Sequence, residues 1–367
     1  MTTKARRRRF ALVGALLTAG ALFSATARAQ DVATNVVATN VPATKVVPAP
    51  AFFESHDPIE VTLTANIGKL RGDKNDDHPW RAATLSYRGL DGNAVTVPLR
   101  ARTRGIWRLK TCAFPPLRLN FTGATAKGSI FYKLDKPKLV SYCEDADGYE
   151  RYILQEFQLY RIYRLLTPVS HNARLLKLSY ADSGSGKVRA TRYGFVLEEP
   201  DALAARLGGS IKEQKGAVSG DLDPYQQALM GVFQYMIGNT DYSVAGLHNI
   251  ELFFTDDGIV KPIAYDFDFA GAVNARYAAP DVSLRINSVR QRLFRGYCTD
   301  AEAYTKVFAL FKEKKPEIYA LYSDEIGKLI DRGTVKETLR YFDDFYDTIN
   351  DPHAARRSII ESCINRP

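Results

Sequence analysis

Residues 233–271 read FQYMIGNTDYSVAGLHNIELFFTDDGIVKPIAYDFDFAG. The stretch opens on the apolar end of a helix predicted over 224–237, with Asp223 placed to cap it. Ile237-Gly238-Asn239-Thr240 leaves that helix and leads into Asp241. His248-Asn249 precedes a strand expected over 250–254, and Asp256-Asp257-Gly258 is a turn. A second strand, 260–265, runs into Asp266-Phe267-Asp268-Phe269. Two acids that end a strand buried through Ile263, Ala264 and Tyr265 are costly unless they meet a cation or a donor.

The flanks set the architecture around this stretch. Upstream, Ile59, Val61, Leu63 and Ala65 alternate with Glu60, Thr62 and Thr64, the pattern of a half-buried strand. Further strands are predicted over 82–87, 95–99, 117–121 and 138–142. Tyr152, Ile153, Phe157, Tyr160, Tyr163 and Leu166 recur at helical spacing, so 149–166 is a helix that Thr167-Pro168 ends. Strands over 175–180 and 192–197 follow. Beyond Pro200 the pattern is mostly helical, with two or three helices over 301–349. The class is α+β, with a β-rich lobe over about 52–199 and a helical lobe over about 200–367.

The 367 residues are 46% hydrophobic and 25% charged, which describes a globular chain. The formal charge is +9, from 50 Lys+Arg and 41 Asp+Glu. Residues 1–29 carry Lys4, Arg6, Arg7, Arg8, Arg9 and Arg28 and no acid, so the remainder holds 44 cations against 41 acids, +3. That excess gives no warrant for a nucleic-acid partner. The same 29 residues read as an export signal: a basic start, an apolar run from Phe10 to Phe23, and Ala27-Arg28-Ala29 before the expected cleavage. Residues 30–51 repeat a Val-Ala-Thr-Asn-Val unit and read as a flexible linker. The expected destination is periplasmic or extracellular, with no membrane span after cleavage. Cys112, Cys143, Cys298 and Cys363 suit an oxidising compartment, and the favoured pairing is Cys112–Cys143 with Cys298–Cys363. No C-x-x-C pair supports a zinc site.

Phosphoryl transfer needs a carboxylate facing the acceptor hydroxyl and Asn or Asp oxygens that hold Mg²⁺ on phosphates. Loop, hairpin and Asp follow in that order here. Four short elements carry a family resemblance: Arg102-Thr103-Arg104-Gly105, Gly194-Phe195-Val196-Leu197-Glu198, Asn239-Thr240-Asp241 and Asp266-Phe267-Asp268. Together, over roughly 95–275, the chain resembles the bacterial CotH-like proteins, named for a spore-coat protein kinase. The resemblance implies an atypical protein-kinase-like two-lobed fold with ATP between the lobes. By that resemblance Asp241 is the catalytic carboxylate and Asn239 shapes its loop. Asp266 ligates Mg²⁺, assisted by Asp268 or Asn249. Glu198 and Glu199 lie at a hinge where backbone groups contact adenine. Lys138 stands 18 residues before Glu156, on a strand and the next helix, and the two are expected to pair and position phosphates. Arg104 and Arg118 are rival phosphate contacts. Asp241 and Asn249 are eight apart where the kinase loop spacing is five, so either three extra residues loop out or Asn249 is not a ligand.

These residues predict an exported ATP- and Mg²⁺-dependent phosphotransferase acting on a protein or other envelope acceptor. The rival reading is a non-catalytic module that binds an envelope polypeptide or polysaccharide. A metal hydrolase ranks below both, since few acids or histidines cluster near Asp266 and Asp268. His248 reads as structural, with no nucleophile beside it.

Overall fold

Val61, Leu63 and Ala65 point one way and Glu60 the other, which builds β1 (Ile59–Ala65) as the alternation requires. This computed structural model describes residues 46–365 apart from positions 76 and 90. The predicted export signal and linker residues 30–45 lie outside the described residues. Asn66 caps α1 (Ile67–Gly72) by accepting from the Lys69 amide at 2.9 Å. Then come β2 (Arg81–Arg88), β3 (Ala94–Thr103), α2 (Trp107–Thr111), β4 (Leu117–Asn120), α3 (Gly123–Ala126) and β5 (Lys138–Val140). The long helix α4 (Asp147–Leu166) precedes β6 (Ala173–Asp182) and β7 (Val188–Leu197).

The strands follow the order β1-β2-β3-β4-β5-β7-β6 and close into a barrel. Closure comes from β6, which pairs parallel with β1 from Ile59 opposite Leu176 to Ala65 opposite Asp182. Leu63, Leu85, Leu119, Leu139 and Leu178 fill the interior with Phe121 and Phe131. The α+β class stands, but the protein-kinase-like two-lobed fold does not. The seven N-terminal strands form a closed barrel, which is not a kinase-like N-lobe sheet. The expectation failed because alternation marks a strand without saying whether its edge is open or paired.

Every residue from Tyr152 to Tyr163 is buried, so α4 is enclosed on all sides. Phe157 and Tyr160 pack on Phe195 of β7, with centroids 5.8 and 5.4 Å apart. Tyr163 stacks on Phe233 at 4.4 Å. Phe233 lies on α6 (Pro224–Ile237), which follows α5 (Pro200–Leu207) and β8 (Gly209–Ile211). The hairpin β9 (Ile250–Thr255) and β10 (Val260–Ala264) joins β8 in a three-stranded sheet ordered β10-β9-β8. Helices α7 (Ala301–Ala320) and α8 (Arg332–Asn350) complete the helical part.

Cys112–Cys143 and Cys298–Cys363 are both bonded, the pairing favoured from sequence. No described helix is long and apolar enough to cross a membrane.

Candidate functional site

Asp266 follows β10 in the left-handed region, φ +63, and Asn249 precedes β9 at φ +54. Asp and Asn tolerate that conformation better than most side chains. The Asp266 amide donates to Tyr160 Oη at 2.8 Å. Between the two acids, Phe267 is fully buried against Tyr160, Tyr163 and Phe233. That anchor fixes Asp266 and Asp268 on either side of it.

Asp268 is buried and accepts from Tyr277 Oη at 3.1 Å, with Arg108 Nη1 at 3.9 Å. Burial, helped by the charge of Asp266, pushes the Asp268 carboxyl up to about 7. Glu156 is also buried, and among the described residues neither carboxylate oxygen closes a hydrogen bond. Burial first, then Asp268 and Asp266, raise its pKa well above the ordinary range, while Arg108 and the nearby Phe267 amide pull weakly the other way. Arg108 anchors on the Ser141 carbonyl and leaves Nε buried without a partner among the described residues. Burial works against its charge, but Tyr277, Asp268, Glu156 and Asp266 hold it above the ordinary value.

The Asp241 loop is built from its own side chains. Gly238 ends α6 with φ +68. Asn239 Nδ2 donates to Gln234 Oε1 at 3.1 Å, and its Oδ1 accepts from the Asp241 amide at 3.0 Å. Asn249 Nδ2 donates to Asp241 Oδ2 at 3.1 Å and to its carbonyl at 2.8 Å. His248 Nε2 donates to Asp241 Oδ1 at 2.9 Å. The extra residues loop out as a small turn in which Ser243 and His248 exchange both backbone hydrogen bonds. Asn249 therefore reaches Asp241 despite the long spacing.

The barrel contributes cations. Arg102 lies directly opposite Arg118, and Arg118 directly opposite Lys138, across β3, β4 and β5. Arg100 and Arg102 also flank the Trp80 ring, at 5.7 and 4.5 Å. Like charges placed opposite one another destabilise a sheet. Among the described residues none of Arg100, Arg102, Arg104, Arg118 and Lys138 makes an ion pair, and Arg118 Nε is buried without a partner. Lys138 Nζ sits 4.2 Å from the Tyr265 ring centre. Burial, then Arg104, lowers its pKa, against the pull of Glu251 and Asp266. Burial likewise lowers Arg104, against the pull of Asp266 and Glu156.

The predicted residues thus divide. Asp266, Asp268, Glu156, Arg104 and Lys138 share one electrostatic neighbourhood. Asn239, Asp241 and Asn249 form one hydrogen-bonded loop, and the Asp241 charge reaches Asp268. Lys138 makes no ion pair with Glu156 among the described residues; it faces Glu251 and Asp266 instead. Glu198 is consumed by structure. Both its oxygens accept from Arg206, at 3.0 and 2.9 Å, its amide donates to Asn172, and its carbonyl contacts His171 Nδ1. The Glu198 amide is therefore already engaged within the fold. Arg108, Tyr277 and Glu251 were missed. Arg108 stands four residues after Arg104, the one local signal that pointed to it.

Two cavities border this region. One, about 510 Å³, is lined by Glu251, Tyr265, Leu252 and Ile211 among others. The other, about 420 Å³, is lined by Asp241, His248, Phe269 and Arg295 among others. A larger cavity of about 730 Å³ beside α8 shares no lining residue with them.

No group of three or more His, Cys, Asp and Glu among the described residues is arranged as a metal cage. Mg²⁺ does not need one: it binds through one or two carboxylates plus phosphate oxygens and water. Asp266 and Asp268, with orphaned buried atoms on Glu156 and Arg108 nearby, fit that mode. No protein-family model matches this chain, and no curated protein is significantly similar to it.

Proposed function

We propose that the chain is an exported phosphotransferase that uses a magnesium–nucleoside triphosphate, a relative of the CotH-like proteins by its motifs. The observation that carries this reading is the row of cations Arg102, Arg118 and Lys138, each directly opposite the next and none in an ion pair among the described residues. Such a row is an electrostatic cost in the free protein and a fitted surface for a chain of phosphates. Arg104 and Lys138 also feel the charge of Asp266, so cations and carboxylates meet where a metal–phosphate complex would sit. Mg²⁺, held by Asp266 and Asp268, would neutralise charge developing on the transferred phosphoryl group. The cavity beside Tyr265 and Lys138 offers the base an apolar wall in Leu252 and Ile211. Asp241, oriented by Asn249 and Asn239, faces the acceptor. The two disulfides and the predicted export signal support delivery to an oxidising compartment.

Thermal denaturation of the purified protein with Mg²⁺ and ATP tests the donor site. At ligand about 100 times Kd, stabilisation of ~2.7 kcal/mol is expected, lost in Lys138→Met and Asp266→Asn. Asp241→Asn is expected to keep that shift and lose transfer by ~10²–10⁴-fold in rate. No shift at millimolar nucleotide, together with binding of an envelope polymer, would leave a non-catalytic module in its place.

A further inference from the structure

We infer that the cavity beside Asp241 is the acceptor site and that it takes a neutral sugar unit; this rests on the phosphotransferase reading. At about 420 Å³ it has the size of a small-ligand site. Thr240, Asp241, Ser243, His248, Asp281 and Ser283 line it, so hydrogen-bonding groups converge from two separate segments of chain. Phe269 adds an aromatic surface. A polyol needs that combination: several donors and acceptors at once, plus one apolar plate for its C–H face.

Charge narrows the choice. Asp241 and Asp281 are both in the lining, and the lining cation Arg295 already donates to the Thr240 carbonyl. An acidic acceptor is therefore disfavoured. The cavity also gives His248 a role. His248 Nε2 holds Asp241 Oδ1 while Asn249 holds Oδ2, so the carboxylate has one orientation. His248 is a positioning residue. In the transfer, the acceptor hydroxyl oxygen forms a bond to the terminal phosphorus of the nucleoside triphosphate. The bond from that phosphorus to the bridging oxygen breaks, and the nucleoside diphosphate leaves with the electron pair. The hydroxyl proton passes to Asp241.

The test uses the whole purified protein and two readouts. Binding of methyl glycosides, and of a serine peptide flanked by lysines, is followed by saturation-transfer NMR; nucleotide binding is followed by thermal shift. A glycoside signal is expected, weakened about tenfold or more in affinity by Asp281→Asn with the nucleotide shift unchanged. His248→Ala should lower kcat about tenfold at unchanged KM for nucleotide, with His248→Gln recovering most of it. No glycoside binding beside an intact nucleotide shift overturns the sugar assignment and spares the donor site. Peptide binding that depends on Asp281 replaces the sugar with a polypeptide. Glycoside binding without any nucleotide response keeps the cavity's ligand and overturns the phosphotransferase reading.

Discussion

Glu156 is a carboxyl held in a place where its ionised form has almost no support. In the unfolded chain it titrates in the ordinary range, so the folded state retains a proton that the unfolded state releases as pH rises. A raised acid pKa therefore makes stability fall with increasing pH, starting near the unfolded value. Asp268, pushed up to about 7, adds to the same slope. The free protein is expected to melt at a lower temperature at about pH 7 than at about pH 5 for this reason. Glu156→Gln should flatten that slope and raise the melting temperature at neutral pH. A steeper slope in the variant would mean that Glu156 is ionised in the fold. Mg²⁺ with nucleotide, which favours ionised Asp268, should bind more tightly as pH rises through 7.

Among the elements, the junction between α6 and the Asp266–Asp268 segment is the most exacting. The Gly238 carbonyl accepts from the Gly271 amide, and both glycines lie under Tyr341. A Cβ on Gly238 would stand 1.9 Å from Tyr341 Oη, in a left-handed conformation as well. Gly238→Ala is expected to cost ~2 kcal/mol or more and to displace the Asn239–Asp241 loop. Gly220→Ala, where nothing lies within 4 Å, is the control and should melt like the parent. Parallel denaturant titrations compare the two.

The elements were unequally legible from sequence. The bounds of β1 and α6 came out as predicted, because clean alternation and a capped apolar run are local signals. The helix α2 did not, since its five residues are too few for a periodic pattern, and with it Arg108 was lost from the site. Asp241, Asn249, Asp266 and Asp268 stand out in the sequence because they flank a recognisable hairpin. The Lys138–Glu156 pair was inferred from a strand-then-helix order alone. Order does not tell which way a buried helix is rotated, and α4 presents Glu156 toward Arg108 and Asp268 instead.

In the whole molecule, two disulfides close loops of 31 and 65 residues in different parts of the chain. The chain-entropy model assigns ~4 kcal/mol to each. Replacing Cys298 and Cys363 together by Ser should lower stability by that order and leave nucleotide affinity unchanged. The same change at Cys112 and Cys143 frees the end of α2 and should weaken nucleotide binding as well, since Arg108 sits on that helix. Equilibrium unfolding and nucleotide titration of both double variants separate these effects.

The barrel closes through its first strand, and that has a kinetic consequence. As the chain emerges, β1 can pair with β2 almost at once, but its other edge waits for β6, with Ile59 meeting Leu176. Until then the growing sheet exposes an unpaired edge beside apolar residues, the condition that favours association between chains. Non-local parallel pairing is slow to form. Refolding from denaturant should therefore be limited by this seam and show losses that rise with protein concentration. The finished barrel leaves no such edge for another chain to add to.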